Sequence, residues 1–303
     1  MQENRMINLL PGSIRRIVKG QITDIGDLQE IRLRAGKPLI FLCRGEEFVP
    51  EKEKGRKYIV SKEEIDELME YVSSYSLYAF EEEMKQGFIT VGGGHRVGMA
   101  GQAIIENGKV KNLRYITSLN VRMSHEIPGC GDKVFPFSTR RRRPLHTLLV
   151  SPPGCGKTTL LRDLIRQISD GNSYTKAMTV GVVDERSEIA GCYHGVPQND
   201  LGIRTDVMDA CPKAEGMLMM IRSMRPQVLA VDEIGGEKDV QAISYAMHCG
   251  LKMLATAHGE SMEELKSKPI FSRMIEEKRF ERYVFLKNKG EIEDVFDSDG
   301  RVM

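Results

Sequence analysis

The chain has 303 residues, 44 Lys+Arg against 43 Asp+Glu, 41% hydrophobic residues and a formal net charge of +1. That length suits two domains with separate cores, the charged fraction of 29% is globular rather than disordered, and the balanced charge gives no bulk attraction to nucleic acid or an anionic membrane. No run approaches the ~18 apolar residues of a transmembrane helix, the start is not a secretory signal, and scattered cysteines without a Cys-x-x-Cys pair suggest neither disulfides nor zinc, so the expectation is a cytoplasmic protein.

Pro11 and Gly12 break the first apolar stretch. Residues 29–34 alternate, Gly36-Lys37-Pro38 turns, and 39–43 is apolar, which predicts a strand pair. Ser61-Lys62-Glu63-Glu64 is a capping box, opening a helix whose face is Ile65, Leu68, Met69 and Val72. Segments 87–91, 95–101, 103–105 and 116–123 are short, β-prone and separated by glycines. They predict a small α+β domain, a helix against an antiparallel sheet. Pro128, Gly129, Gly131 and Pro136 then lead into Arg140-Arg141-Arg142-Arg143-Pro144. Loop formers followed by a like-charge run read as a solvated linker, with membrane phosphates or nucleic acid as lesser alternatives. The boundary expected near residue 138 divides the chain into 1–138 and 139–303.

Downstream, apolar runs at 145–150, 178–183, 228–231 and 252–257 alternate with helical stretches at 157–168, 214–223 and 240–249. This alternation predicts parallel βαβ units. Residues 283–287 and 292–296 flank Asn288-Lys289-Gly290 as a hairpin. The fold class expected is α/β, a C-terminal P-loop domain with a mostly parallel sheet, preceded by the smaller α+β domain.

Four constellations carry chemistry. Ser151-Pro152-Pro153-Gly154-Cys155-Gly156-Lys157-Thr158-Thr159 lies between a predicted strand and a predicted helix and resembles a Walker A phosphate loop. Its glycines let backbone N–H groups turn inward onto phosphate, and the helix N-terminus adds positive potential. Lys157 would meet the β- and γ-phosphates, Thr158 would ligate magnesium and Thr159 would reach the α-phosphate. The motif's usual first glycine is Ser151 here, at a position that shapes the turn rather than contacting phosphate. Val228-Leu229-Ala230-Val231-Asp232-Glu233 resembles a Walker B strand, with Asp232 for the magnesium shell and Glu233 for the attacking water. Asp232 lies 75 residues after Lys157, leaving room for the strand 178–183 between the two motif strands. That strand ends in Asp184-Glu185-Arg186-Ser187-Glu188, acids expected at the carboxyl edge of the sheet. Ala255-Thr256-Ala257-His258 ends a further strand there, with Thr256 or His258 placed to sense the γ-phosphate. Gly92-Gly93-Gly94-His95-Arg96-Val97-Gly98 precedes no predicted helix and is not a dinucleotide fingerprint.

The four motifs in this order resemble the RecA-like ATPases of type II and type IV secretion and pilus machines. More narrowly, segments 83–98 and 116–122 resemble the N-terminal domain of the stage III sporulation AA family of endospore-forming bacteria. The resemblance implies ATP and Mg2+ as cofactors. It assigns Pro153, Gly154, Cys155, Gly156, Lys157, Thr158, Thr159, Asp184 and His258 to the nucleotide, and Thr158 and Asp232 to the metal. Lys157, Glu233 and Glu188 would then carry catalysis, leaving open whether Glu233 or an acidic-box glutamate orients water. It further implies a hexameric homo-oligomer in the mother-cell cytoplasm, docked on a membrane protein of a channel complex between mother cell and forespore. Arg96 or Arg122 would reach a neighbour's γ-phosphate, and no nucleic acid is expected. Two rivals keep the same nucleotide site: a nucleic-acid-stimulated RecA-like motor using Arg140 to Arg143, and a non-catalytic scaffold, against which the intact Asp232-Glu233 pair argues.

Overall fold

The capping box forms as the sequence predicts. In the computed structural model, which describes residues 3–52, 55–73, 84–85 and 87–303, the Ser61 hydroxyl accepts the Glu64 N–H while the Glu64 side chain accepts the Ser61 N–H. These bonds satisfy two of the amide donors that a helix start leaves unpaired. The helix they open is α3 (Lys62–Val72), and it buries Ile65, Leu68, Met69 and Val72. Two earlier helices, α1 (Glu3–Leu9) and α2 (Gly12–Gln21), were not expected. They are short, and they bury Met6, Ile7, Ile14 and Val18, with Leu10 between them, in the same core as α3.

That core lies against an antiparallel sheet ordered β3 (Glu46–Phe48), β2 (Ile40–Cys43), β1 (Leu28–Arg34), β8 (Lys109–Arg122), β7 (His95–Glu106), β6 (Phe88–Val91). A separate ladder joins β4 (Glu51–Lys52) and β5 (Arg56–Lys57). Alternation on β1 buries Ile31 and Leu33, and a register shift after Leu28 brings that residue into the core as well. The sequence reads a break near Gly101, but β7 runs through it. The register shifts there, and a Cβ on Gly101 would lie 2.6 Å from the Arg114 carbonyl oxygen, so glycine makes the bulge rather than ending the strand.

Contacts group residues 1–125 with 191–198, and 126–190 with 199–303. The boundary expected near 138 falls inside the second unit. Residues of 126–138 are tied there: the Gly131 N–H donates to Asp163 at 2.8 Å and the Phe137 carbonyl accepts from Arg282 at 2.9 Å.

The second unit opens with α4 (Phe135–Ser138) and the small hairpin of β9 (Thr139–Arg140) and β10 (Arg143–Pro144). Its sheet is ordered β13 (Thr205–Asp209), β12 (Val180–Asp184), β14 (Val228–Val231), β15 (Lys252–His258), β11 (Thr147–Ser151), β16 (Arg282–Lys287), β17 (Glu291–Phe296). Every pairing is parallel except the terminal β16–β17 hairpin. The strand seated between the two motif strands β11 and β14 is therefore β15. The strand 178–183, which lies between them in the chain, flanks β14 on the far side.

Strands β11, β12 and β14 are buried throughout, as a parallel sheet covered by helices requires. Leu148 and Val150 of β11 join the core cluster that contains residues of α6 (Lys213–Ser223), α7 (Glu237–His248), α8 (Met262–Ser267) and α9 (Pro269–Glu276). The phosphate-loop helix α5 (Lys157–Asp170) packs on β11, β12, β13 and β15. Strand β13 escaped the sequence reading because its five residues are only half-buried.

Candidate functional site

Parallel pairing brings the carboxyl ends of β11, β12, β14 and β15 to one edge, and the four motifs meet there. From β11 the chain turns through Gly154 (φ 76°) and Gly156 (φ 88°) into α5. Both glycines hold the left-handed conformation that a side chain disfavours. Ser151 does not, so the motif's first glycine is dispensable. Its oxygens have a role instead: the Lys157 ammonium lies 2.8 Å from the Ser151 carbonyl, 3.0 Å from the Pro152 carbonyl and 3.2 Å from the Ser151 hydroxyl. Burial lowers the Lys157 pKa, and the charges of Asp232 and Glu233 oppose that shift. Pro153 and Cys155 form the crest of the turn, the thiol of Cys155 facing the Pro153 carbonyl at 3.8 Å. Thr159 lines a recess beside α5 with Pro128, Arg162 and Asp163.

The Thr158 hydroxyl donates to Asp232 Oδ2 at 2.7 Å, joining the phosphate-loop helix to the tip of β14. The other carboxylate oxygen accepts from the hydroxyl of Thr256, a fully buried residue of β15. Thr256 in turn accepts the Glu233 N–H at 2.8 Å. One hydroxyl thus fixes both Asp232 and the backbone of Glu233. Burial pushes the Asp232 carboxyl pKa up, while the two hydroxyl donors pull it down.

Glu233 sits at φ 51°, a left-handed conformation that costs a non-glycine residue about 1–2 kcal/mol. Such strain marks a position held by its surroundings. Both of its carboxylate oxygens are engaged, Oε1 with His258 Nε2 at 2.9 Å and Oε2 with Arg186 at 2.7 Å. The other ring nitrogen of His258 lies 3.1 Å from the Lys157 ammonium. An ammonium only donates, so His258 Nδ1 is the acceptor and the ring proton sits on Nε2, facing Glu233. Lys157, His258, Glu233 and Arg186 form a continuous polar chain across the edge.

Asp184 is buried, and its carboxylate accepts the N–H groups of Glu188 (2.8 Å), Ile189 (2.9 Å) and Ala190 (2.7 Å). Burial raises its pKa to about 6 and the three amides act against that shift. Its bonds are to the acidic loop, which it folds back toward β14. Glu185 pairs with Lys213. Asp184, Glu185, Arg186, Glu188, Asp232 and Glu233 line one small pocket, so the acidic loop and the Walker B tip come together as expected. Sequence reasoning missed Arg162, whose buried guanidinium holds this loop through the Glu188 and Ile189 carbonyls at 2.9 and 2.8 Å. Nothing local in the sequence marks it. Thr256 had been singled out only as a phosphate sensor.

In the first unit, Arg96 and Arg122 are cross-strand partners on β7 and β8. The Arg96 guanidinium lies 3.8 Å from the centre of the Phe88 ring, within cation–π range.

Over residues 1–303 the chain matches the family described as sporulation stage III, protein AA. It is 41% identical over 308 aligned residues to the stage III sporulation protein AA of Bacillus subtilis strain 168, covering 99% of this chain and 97% of that one. The chain belongs to this family. Of the 83–98 segment that carries part of the resemblance, Glu83 and Gln86 lie outside the described residues. Among solved structures, the ATPase DotB of Yersinia pseudotuberculosis matches with a TM-score of 0.61 at 13% identity, over 97% of this chain and 78% of that one. The pilus retraction motor PilT, determined with bound ADP, matches with a TM-score of 0.58 at 16% identity, over 90% of this chain and 76% of that one. The fold is thus the RecA-like fold of these two proteins.

Proposed function

From membership in that family, we propose that the chain is a Mg-dependent ATPase. It converts ATP to ADP and phosphate and powers a secretion-like channel complex between mother cell and forespore. The single observation that carries the catalytic reading is the 2.7 Å bond between Thr158 and Asp232. It ties the end of the phosphate loop to the tip of the Walker B strand, with Lys157 alongside.

The residues fit both ligands. A Cβ built on Gly154 meets nothing within 4 Å, so the crest of the loop is not covered by other side chains there. Thr158 and Asp232 offer a hydroxyl and a carboxylate oxygen, the hard donors that Mg2+ takes, and these two residues would hold it. Magnesium would supply charge neutralisation on the β- and γ-phosphates. Lys157 would exchange the carbonyls of Ser151 and Pro152 for phosphate oxygens. Its withdrawal from His258 Nδ1 would loosen the polar chain, and Glu233, backed by Thr256, would orient water. Glu188 lines the same pocket and is the second carboxylate within reach.

A hexameric ring, with Arg96 or Arg122 completing a neighbour's site, and a membrane partner in the channel complex complete the reading. Among the described residues no helix is long and apolar enough to cross a membrane, which accords with docking in the mother cell through such a partner. Calorimetric titration with Mg-ATP and phosphate release test the catalytic part. Lys157→Ala is expected to reduce phosphate release by about a thousandfold or more. Release by the variant at the wild-type rate would remove the site from consideration.

A further inference from the structure

The opposite edge of the same parallel sheet carries a pattern that hydrolysis does not use. The segments leading into β12, β13 and β14 each pair an exposed apolar side chain with a basic one. Tyr174 (42% exposed) precedes Lys176, Ile203 (82%) adjoins Arg204, and Met224 (45%) adjoins Arg225. These strands are direct neighbours in the order β13-β12-β14, about 4.8 Å apart, so the three pairs lie on the lead-in segments of adjacent strands at one edge of the sheet. The hairpin β9–β10 extends it: Arg142 bonds the Asn172 carbonyl at 3.3 Å, and Tyr174 stacks on Phe135 with ring centres 6.0 Å apart.

Arg140 to Arg143 are all exposed at that hairpin. Arg141 (φ 52°) and Arg142 (φ 60°) occupy a two-residue turn in which both positions are left-handed, where Asn-Gly is the favoured pair. Arg225 is left-handed as well, at φ 49°. The chain therefore keeps arginine where its own backbone disfavours it, a local conflict of the kind found at functional positions. Two acids of this edge have partners, Asp170 accepting the Ile203 N–H and Glu281 pairing with Lys252.

We propose that this edge is a docking face for an anionic phospholipid surface, the arginines meeting headgroup phosphates while Ile203, Met224 and Tyr174 enter the interface. Basic residues interleaved with an aromatic ring and aliphatic tips suit a bilayer boundary. A nucleic-acid surface would instead call for several stacking rings, and these three pairs hold one exposed aromatic. The contact is direct and independent of the nucleotide reading, so either can fail alone.

The test is sedimentation of the full chain with phosphatidylcholine vesicles, with and without phosphatidylglycerol, in parallel with duplex DNA. Wild type is expected to bind only the anionic vesicles. Arg141→Asn with Arg142→Gly suits the turn and should fold at least as well, yet bind roughly thirtyfold more weakly. Ile203→Asn with Met224→Gln should abolish the binding that survives high salt. Lys176→Glu, away from the turn, should weaken binding independently. Equal binding to neutral vesicles, no vesicle binding, or undiminished binding by the arginine variant would each overturn the proposal. Binding to DNA without binding to anionic vesicles would assign the face to nucleic acid and overturn it too.

Discussion

The two edges of the seven-stranded sheet are built from the same strands yet use opposite strategies. At the carboxyl edge the polar atoms of Lys157, Thr158, Asp232, Glu233, Thr256 and His258 bond one another, and each holds the next in one geometry. At the amino edge the arginines of the β9–β10 hairpin and the side chains of Ile203 and Met224 face solvent. A mutual network fixes geometry, which chemistry on a phosphate chain needs. A set of exposed charges and apolar tips gives adhesion, which needs little precision. Perturbations at the first edge should therefore be large and specific, and those at the second should be small or seen only with a partner.

The largest effect is expected from Asp232→Asn. The variant keeps an acceptor for Thr158 but loses the charge, and phosphate release should fall by about a thousandfold with the dependence on Mg2+ abolished. Next comes Thr256→Val, which removes the hydroxyl shared by Asp232 and the Glu233 N–H and leaves that N–H only its longer 3.1 Å bond to Asp232 Oδ1. Turnover should drop by roughly tenfold to a hundredfold with little change in KM, and Thr256→Ser should restore most of it. A purely structural threonine would lower melting temperature without that kcat-selective loss.

At the amino edge the sharpest expectation concerns pH. The His146 ring accepts the Met253 N–H at 3.2 Å, and burial, reinforced by the charge of Lys252, lowers its pKa to about 4. The unfolded chain takes up this proton near pH 6.5 and the folded chain only near 4, so its stabilising contribution is full above 6.5 and is lost as pH falls. The slope between those values should be about 1.4 kcal/mol per pH unit. Denaturant titrations at pH 7 and 5 should show a smaller difference for His146→Asn than for wild type. The smallest effect is expected from Ser151→Gly, which restores the usual phosphate-loop glycine. It should keep nucleotide binding yet destabilise the free protein by about 1 kcal/mol, through loss of the Ser151 hydroxyl contact to Lys157.

The site was readable where its residues are consecutive. Gly154 to Thr159 and Asp232-Glu233 are short runs whose local backbone and neighbouring strand define their roles. The Ser61 capping box was readable for the same reason. What joins those runs was not. Thr256 is 24 residues beyond Asp232, and Arg162 is 26 residues ahead of Glu188. Their meeting follows from the order β12-β14-β15-β11, and alternating helices and strands imply a parallel sheet without fixing its order. Helices α1 and α2 were hidden because their stability comes from packing on α3 and the antiparallel sheet, and short helices carry weak signals of their own.

The most direct test of the central claim, that Glu233 at the carboxyl edge drives hydrolysis, is phosphate release per subunit against protein concentration, with mass by light scattering, for wild type and Glu233→Gln. The account predicts turnover that rises with assembly in the wild type, and a variant that binds Mg-ATP but releases almost no phosphate. Equal turnover by the two proteins would contradict the assignment of Glu233, and a constant rate from a stable monomer would contradict the site shared between neighbours.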